Sequence, residues 1–426
     1  MAVSPSRLTA IIKEQCFSLY DLHCIISDHG SSFNHIHVSA AFGMLWRIAR
    51  SEREPPKDVN DVLSNLSDLA LSRMDDLGAR EVSNTLHSIA KLSKQGYGNS
   101  SPELIEALVS HASHQLQDFN PQNLSNAIWA LATLNHPDDD FTSALILAAR
   151  GKLRDFNPQN LSNAIWAMAT LNHHDFDFTS ALILAARGKL RDFNPQALSN
   201  TIWALATLYH PDDDFTSALI LAARGKLRDF NPQALSNTIW ALIILSHRND
   251  DFSTALISEL QGRELAVFTP KNLGQIFMFF MTAKDEGWDV VNGTLIPQDL
   301  WIRARDSWML NLCANPSKSQ LDVLKVVQSL PGCAEARGEV PTDDGFFNID
   351  IALIRPDGTK FAIEVDGPQH FMSNNPLRMN GNTLLRNRML EARGWQVISV
   401  PVFTWDKVPR QGKKQYLMDL LKAHGL

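Results

Sequence analysis

Arg150, Lys152 and Arg154 return as Arg187, Lys189 and Arg191, and again as Arg224, Lys226 and Arg228, at a fixed spacing of 37 residues. A ladder of cations at regular intervals is what a tracked phosphate backbone requires. The same residues also suit dipole compensation and solubility, and for any single repeat that second role is sufficient. A further set of residues varies in step. Asn123, Asn160, Ala197 and Ala234 are each followed, four positions later, by Ala127, Ala164, Thr201 and Thr238. Residues at i and i+4 share a helix face, so each repeat presents a matched pair on a fixed scaffold. Modular readers of one RNA base per repeat work in this way, with two or three side chains meeting a base edge. The alternative is neutral drift at exposed positions of a recently duplicated array.

These residues need a repetitive frame, and the chain supplies one. Asp118-Phe119-Asn120-Pro121-Gln122 recurs at Asp155, Asp192 and Asp229, and each copy continues Leu-Ser-Asn-x-Ile-Trp-Ala, as at Leu124 to Ala130. A period in this range marks a solenoid, whose small units bury their apolar faces only by stacking on their neighbours. Within one unit Asn120 is a good N-cap and Pro121 takes the first helical position, where a missing N–H is harmless. Leu124, Ile128, Leu131 and Leu134 form the expected buried stripe, widened by Trp129 and Ala132. Asp138-Asp139-Asp140 then opens a second helix that carries Leu145, Leu147 and Ala148 and ends in the cations. Each unit is therefore a helical hairpin, acidic at the start of its second helix and basic at the end.

The flanks are less regular. Residues 1–34 show only short apolar patches and form a poorly defined N-terminal segment. Residues 35–117 read as degenerate helical repeats that cap the array. Helices are expected from His35, over Val59–Met74 and over Ala79–Leu92, with a break at Glu52–Lys57. Residues 118–286 hold the repeats of period 37, including a weaker unit at Phe268–Thr282, and 287–335 form a helical bridge. Composition is that of an ordinary soluble chain, 44% hydrophobic and 20% charged, with net charge −7. A broadly basic nucleic-acid coat is thereby excluded, so a polyanion site must arise from local segregation of charge. The four cysteines form no CxxC pair, which argues against structural zinc or a disulfide framework and for a reducing compartment. No apolar run reaches the roughly 20 residues that span a bilayer.

After Pro331-Gly332 the helical period stops. Phe346–Ile354, Lys360–Gly367 and Trp395–Val400 read as strands, with a turn at Arg355-Pro356-Asp357-Gly358 and a helix over Asn382–Arg393. Residues 336–426 form a small α/β domain.

Two resemblances follow from these motifs. The unit Phe-Asn-Pro-Gln-x-Leu-Ser-Asn-x-Ile-Trp-Ala-Leu-Ala-Thr-Leu resembles the octotricopeptide repeat, an α-helical hairpin array that binds single-stranded RNA. The fourth unit departs from it, with Ile243-Ile244 in place of Ala-Thr. Asn348-Ile349-Asp350, Glu364-Val365-Asp366-Gly367-Pro368-Gln369-His370-Phe371 and Leu385–Leu390 leading to Gly394-Trp395 resemble a RAP domain, a module of organellar RNA proteins. The fold class implied is α+β multidomain: a right-handed α-α superhelical repeat array followed by a small α/β domain like the restriction-endonuclease and very-short-patch-repair nuclease fold.

That nuclease likeness raises a catalytic expectation. Such enzymes hold Mg²⁺ between an Asp on one strand and an Asp or Glu on the next, often followed two residues on by Lys. Asp350 and Glu364 fit the first two places, and Asp366 stands where Lys is wanted. Asp350, Glu364 and Asp366, with His370, form the candidate metal and catalytic cluster, and Arg386 and Arg388 are candidate phosphate contacts. The alternative is a nuclease-like fold kept as a binding module.

Together these readings imply a sequence-specific single-stranded RNA-binding protein acting on RNA stability, processing or translation. Its alternatives are a Mg²⁺-dependent RNA endonuclease and a protein-interaction scaffold or bacterial effector. A monomer with other RNA-processing proteins as partners is expected, in a mitochondrion or plastid by resemblance; the alternative locations are the cytoplasm or, for an effector, a host cell.

Overall fold

The protein is described by a computed structural model over residues 4–51, 58–97, 102–290, 297–310, 312 and 316–425. The expected break at Glu52–Lys57, parts of the expected bridge over 287–335, and Cys313 lie outside these residues. Helices come first: α1 (Pro5–Ala10), α2 (Leu19–His29), α3 (His35–Ser51), α4 (Val59–Ser72), α5 (Ala79–Lys94) and α6 (Pro102–Ser113). The regular array follows as α7 (Pro121–Leu134), α8 (Asp139–Arg150), α9 (Pro158–Thr170), α10 (Phe176–Arg187), α11 (Pro195–Thr207), α12 (Asp213–Arg224), α13 (Pro232–Ile244) and α14 (Asp250–Gln261). It closes with α15 (Pro270–Asp285) and α16 (Gln298–Met309). The C-terminal part comprises α17 (Lys318–Gln328), β1 (Arg337–Pro341), β2 (Asn348–Ile354), β3 (Lys360–Asp366), β4 (Phe371–Met372), β5 (Asn375–Met379), α18 (Gly381–Glu391), β6 (Trp395–Pro401), α19 (Val402–Trp405) and α20 (Lys413–Ala423). The N-terminal segment is thus helical, held by a capping box in which Ser18 and Asp21 bond each other's backbone N–H. The chain forms two compact bodies, Met1–Leu171 with Asp175–Phe193, and Asn172–His174 with Asn194–Leu426.

In the first body the initial helices of successive units, α3, α5, α7 and α9, pack side by side, and α4, α6, α8 and α10 form a second layer. Local chemistry sets each boundary as the sequence implies. Asn120 and Asn157 accept the N3 backbone N–H behind a Pro at N1, and Asp138 and Asp175 do so for the second helices. The first helix of unit one stops at Asn135, whose φ of 50° places it in the left-handed region. Leu124, Ile128 and Leu131 are buried as expected. Leu147 is not: it is 75% exposed, and its counterparts Leu184 and Leu221 are equally solvated. The second helix turns Phe141, Thr142, Leu145, Ile146 and Ala149 inward.

The second body continues the pattern with α11, α13, α15 and α16 side by side and α12 beside α14. Its sheet has the order β1-β2-β3-β6, antiparallel except for the parallel β3–β6 pair. One face of the sheet carries Ile351, Leu353, Phe361, Ile363, Val365, Ile398 and Val400 against Val323 and Val327 of α17 and Leu417 and Leu421 of α20. Helix α17, read from sequence as part of a bridge, therefore belongs to the core of the sheet domain. Asp322 on α17 fixes this layer by accepting from Lys413 Nζ (2.6 Å) and Trp405 Nε1 (3.0 Å).

Helix α18 lies against α11 and α13. Gly381 sits where a Cβ would come within 2.0 Å of the Ala206 carbonyl oxygen and 2.8 Å of Ile244 Cγ2, so no side chain fits. Arg378 donates to the Tyr209 carbonyl (2.9 Å), and Arg388 donates to that of Ile243. Ile243 lies in the last turn of α13, where carbonyls carry negative dipole charge, and Tyr209 lies just past the end of α11. Gly381→Ala is expected to loosen the sheet domain from α11 and α13; limited proteolysis should cut the variant faster between the array and the domain, and an unchanged rate would refute this packing role.

Candidate nucleic-acid interface

The structure places the expected base-reading pairs inside the protein. Asn123, Ala127, Asn160, Ala164, Ala197, Thr201, Ala234 and Thr238 are all buried, so none presents an edge to a base. Asn123 completes a capping box with Asn120 and donates from Nδ2 to Ser83 Oγ of the preceding unit (2.8 Å). Asn160 does the same toward Ser125 (2.8 Å), and in the second body Asn272 bonds Ser236 (2.9 Å). Where the first position is Ala, the Thr four residues on donates to the carbonyl of that Ala, from Thr201 to Ala197 and from Thr238 to Ala234 (2.8 Å each). Asn and Thr have similar volumes, so Asn with Ala and Ala with Thr fill one space in two ways. Coupled packing, rather than base recognition, explains why the positions change together.

The cation ladder also divides. Lys152 Nζ donates to the carbonyls of Gln117 (3.0 Å) and Phe119 (2.6 Å), and Lys189 Nζ to those of Arg154 (2.9 Å) and Phe156 (2.6 Å). In the second body Arg263 stands at the equivalent position and donates to Arg228 and Phe230. These side chains clasp one unit to the previous one. Lys226 holds the same place in unit three and is half-buried. Arg150 makes a two-oxygen contact with Asp175 (2.9 Å to each). Arg154, Arg187, Arg191, Arg224 and Arg228 lie exposed at the surface.

A different face has the properties of a nucleic-acid surface. Trp129, expected to widen the buried stripe, is partly exposed, as is Trp166. Their ring centroids lie 6.1 Å apart at 32°. His87, at the equivalent position of α5, meets the Trp129 ring edge-on at 4.8 Å. Burial and the neighbouring Lys91 push the His87 pKa down to about 4, so the ring is neutral. His87 also lines a cavity of about 350 Å³ between α3 and α5, together with Trp46 and the cations Lys13, Arg47, Arg80 and Lys91. Lys91 lies 4.0 Å from the centre of the Trp46 ring, and Arg50 5.6 Å from it. Stacking rings beside cations is the arrangement that single strands require. The sequence held a signal for this face: Trp recurs at a fixed position where Leu or Ile would fill a core more simply.

The carboxylates of the sheet domain do converge. Asp350, Glu364 and Asp366 share the face of the sheet turned toward α18, and Arg386 of that helix reaches into them. Its guanidinium donates to both oxygens of Asp366 (2.7 and 3.1 Å) and lies 3.3 Å from Glu364 Oε2. Ser399 Oγ donates to Asp366 (2.5 Å), while Asp350 accepts from Gln320 (2.5 Å) and the Val365 N–H (2.8 Å). His370 Nδ1 lies 3.5 Å from Asp366 and 3.1 Å from Thr383 Oγ1. Burial pushes Glu364 up to about 8, helped by the like charges of Asp350 and Asp366 and opposed by Arg386. Burial also raises Asp350. It acts on Asp366 in the same sense, but the bonds from Arg386 and Ser399 outweigh it and hold that group low. Burial lowers His370.

This donor set does not fit Mg²⁺. The oxygens of Asp350 and Asp366 are already engaged, and a guanidinium occupies the position where the cation would balance the charge. Among the described residues, no group of three or more His, Cys, Asp or Glu is arranged to hold a metal ion. Arg386 and Arg388, expected on phosphate, are instead committed internally. Arg388 pairs with Glu286 at 2.9 Å besides capping α13.

Comparison with known families follows the same division. The RAP domain family matches residues 363–420. Residues 58–214 are similar to the RNA-editing substrate-binding complex 6 protein family, and residues 174–278 to the N-terminal domain of the Tbc2 translation factor.

Two outcomes are expected from these assignments. Lys152→Met removes two charge-assisted hydrogen bonds and should lower stability by about 1.5–3 kcal/mol, read from denaturant unfolding. A variant as stable as the parent would return Lys152 to the pool of surface cations. Glu364 retains a proton in the folded chain that the unfolded chain has lost, so its contribution is complete below about pH 4.5 and disappears as pH rises through about 8. Between about pH 7.5 and 8, where ordinary histidines have lost nearly all their protons and the buried His87, His210 and His370 are neutral, stability should fall with pH by up to about 1.4 kcal/mol per unit. Glu364→Gln should flatten that slope; an unaltered slope would place the titration elsewhere.

Proposed function

We propose that this chain, an octotricopeptide-like helical repeat array followed by a RAP domain, binds single-stranded RNA along the exposed face of its first helices. It acts after transcription, on the stability, processing or translation of an organellar RNA. The observation that carries the reading is the aromatic strip His87–Trp129–Trp166 running from a cation-lined cavity. Bases stack on rings without regard to sequence, and nearby cations supply the salt-dependent attraction to phosphate. The family likenesses to an RNA-editing substrate-binding protein and a translation factor point the same way.

Any sequence preference takes a restricted form. Gln122 and Trp129 of unit one recur as Gln159 and Trp166 in unit two, all four at least partly exposed. Identical readers favour the same base, so the perfect units select a run of one nucleotide and discrimination falls to the degenerate units. The sheet domain serves binding and not cleavage in this reading, because its carboxylates are neutralised by Arg386.

Fluorescence polarisation with labelled RNA tests the proposal. Affinity should fall with salt with a slope of about −0.7 per phosphate contacted on a single strand. Trp129→Ala and Trp166→Ala should each cost about 1–3 kcal/mol. One of the four homopolymers should compete far better than the rest. Affinities indifferent to salt and to both substitutions would overturn the RNA reading in favour of a protein-binding scaffold.

A further inference from the structure

We infer that the cavity between α3 and α5 receives a phosphorylated end of the strand, a terminal nucleotide bearing a phosphomonoester. This rests on the RNA reading above and adds a fixed end point to it. His87 belongs both to the aromatic strip and to the cavity wall, so a strand stacked on Trp166 and Trp129 arrives there next. One unit further on, the strip stops. The position equivalent to His87 and Trp129 is Gly43 on α3, where an added Cβ would meet only Ser88 Oγ, at 3.9 Å. In place of another ring there is a space of about 350 Å³, on the scale of one nucleotide.

The charge of that space is suited to an end and excessive for a strand passing through. Among the described residues, Lys13, Arg47, Arg80 and Lys91 line it against one carboxylate, that of Glu81. A phosphodiester within a strand carries one negative charge, whereas a phosphomonoester carries roughly 1.5 to 2 at neutral pH, like any phosphate of second pKa near 6. Four cations converging on one nucleotide-sized space match the latter. Trp46 offers an aromatic face at the same place, with Lys91 already over its ring. Lys13 comes from the π-helical turn Ile11–Gln15, which packs on α3 and walls the cavity on its N-terminal side.

The test uses the full-length protein and one labelled RNA sequence in four forms: 5′-phosphate, 3′-phosphate, hydroxyl at both ends, and circular. One phosphorylated form should bind at least about tenfold more tightly than the hydroxyl-ended and circular forms, and which one wins assigns the strand polarity. The doubly substituted R47Q/R80Q, altered at two exposed side chains, should bring the ratio of phosphorylated to hydroxyl-ended affinity to within about twofold. Equal binding of all four forms by the parent protein would overturn the end-pocket inference while leaving RNA binding intact. A preference that survives in R47Q/R80Q would overturn the assignment to this cavity. Failure of every form to bind would sink the RNA reading itself.

Discussion

A two-helix unit of 37 residues cannot enclose its own apolar stripe, so each unit must be pinned against the previous one over its whole length. Apolar packing of Leu124, Ile128 and Leu131 provides the attraction but is tolerant of sliding. Register comes from polar bonds at the N-terminal edge: the amide of Asn123 on Ser83, that of Asn160 on Ser125, and the ammonium of Lys152 on two carbonyls of the turn before it. These groups are directional and partly buried, and leaving any of them unpaired is costly. Conserving one geometry from unit to unit is what lines up Trp129 and Trp166 at stacking distance.

The same economy of polar groups explains the sheet domain. Three carboxylates on one sheet face would repel one another and resist burial, and Arg386 makes the arrangement tolerable by pairing with two of them. Arg378 and Arg388 add donors to carbonyls at and just past the C-terminal ends of first helices. Arg378, Arg386 and Arg388 thus all serve architecture in this small domain.

Much of this was legible in the sequence. The period, the Asn-Pro starts and the Asp-rich second starts act through local backbone chemistry, and the helices begin where those residues stand. The strands of the sheet domain were also readable, because β-branched and aromatic runs bounded by Pro-Asp-Gly have few alternatives. Trp129, on the expected buried stripe, is instead partly exposed, and Asn123, expected at the surface, is buried. Periodicity fixes which residues share a face, but an array has two sides, and which is covered depends on the neighbouring unit.

By itself, then, the sequence determined the repeat, the ends of its helices, the strand-rich C-terminal domain and the convergence of Asp350, Glu364 and Asp366 on one sheet face. Those follow from bond geometry and from spacing along one chain. Only the tertiary structure decided that Arg386 neutralises the carboxylates, that Lys152 and Lys189 are clasps, and that the open face carries tryptophan beside a basic cavity. Pairing and burial are properties of groups distant in sequence, so a cation's role depends on which acceptor reaches it first.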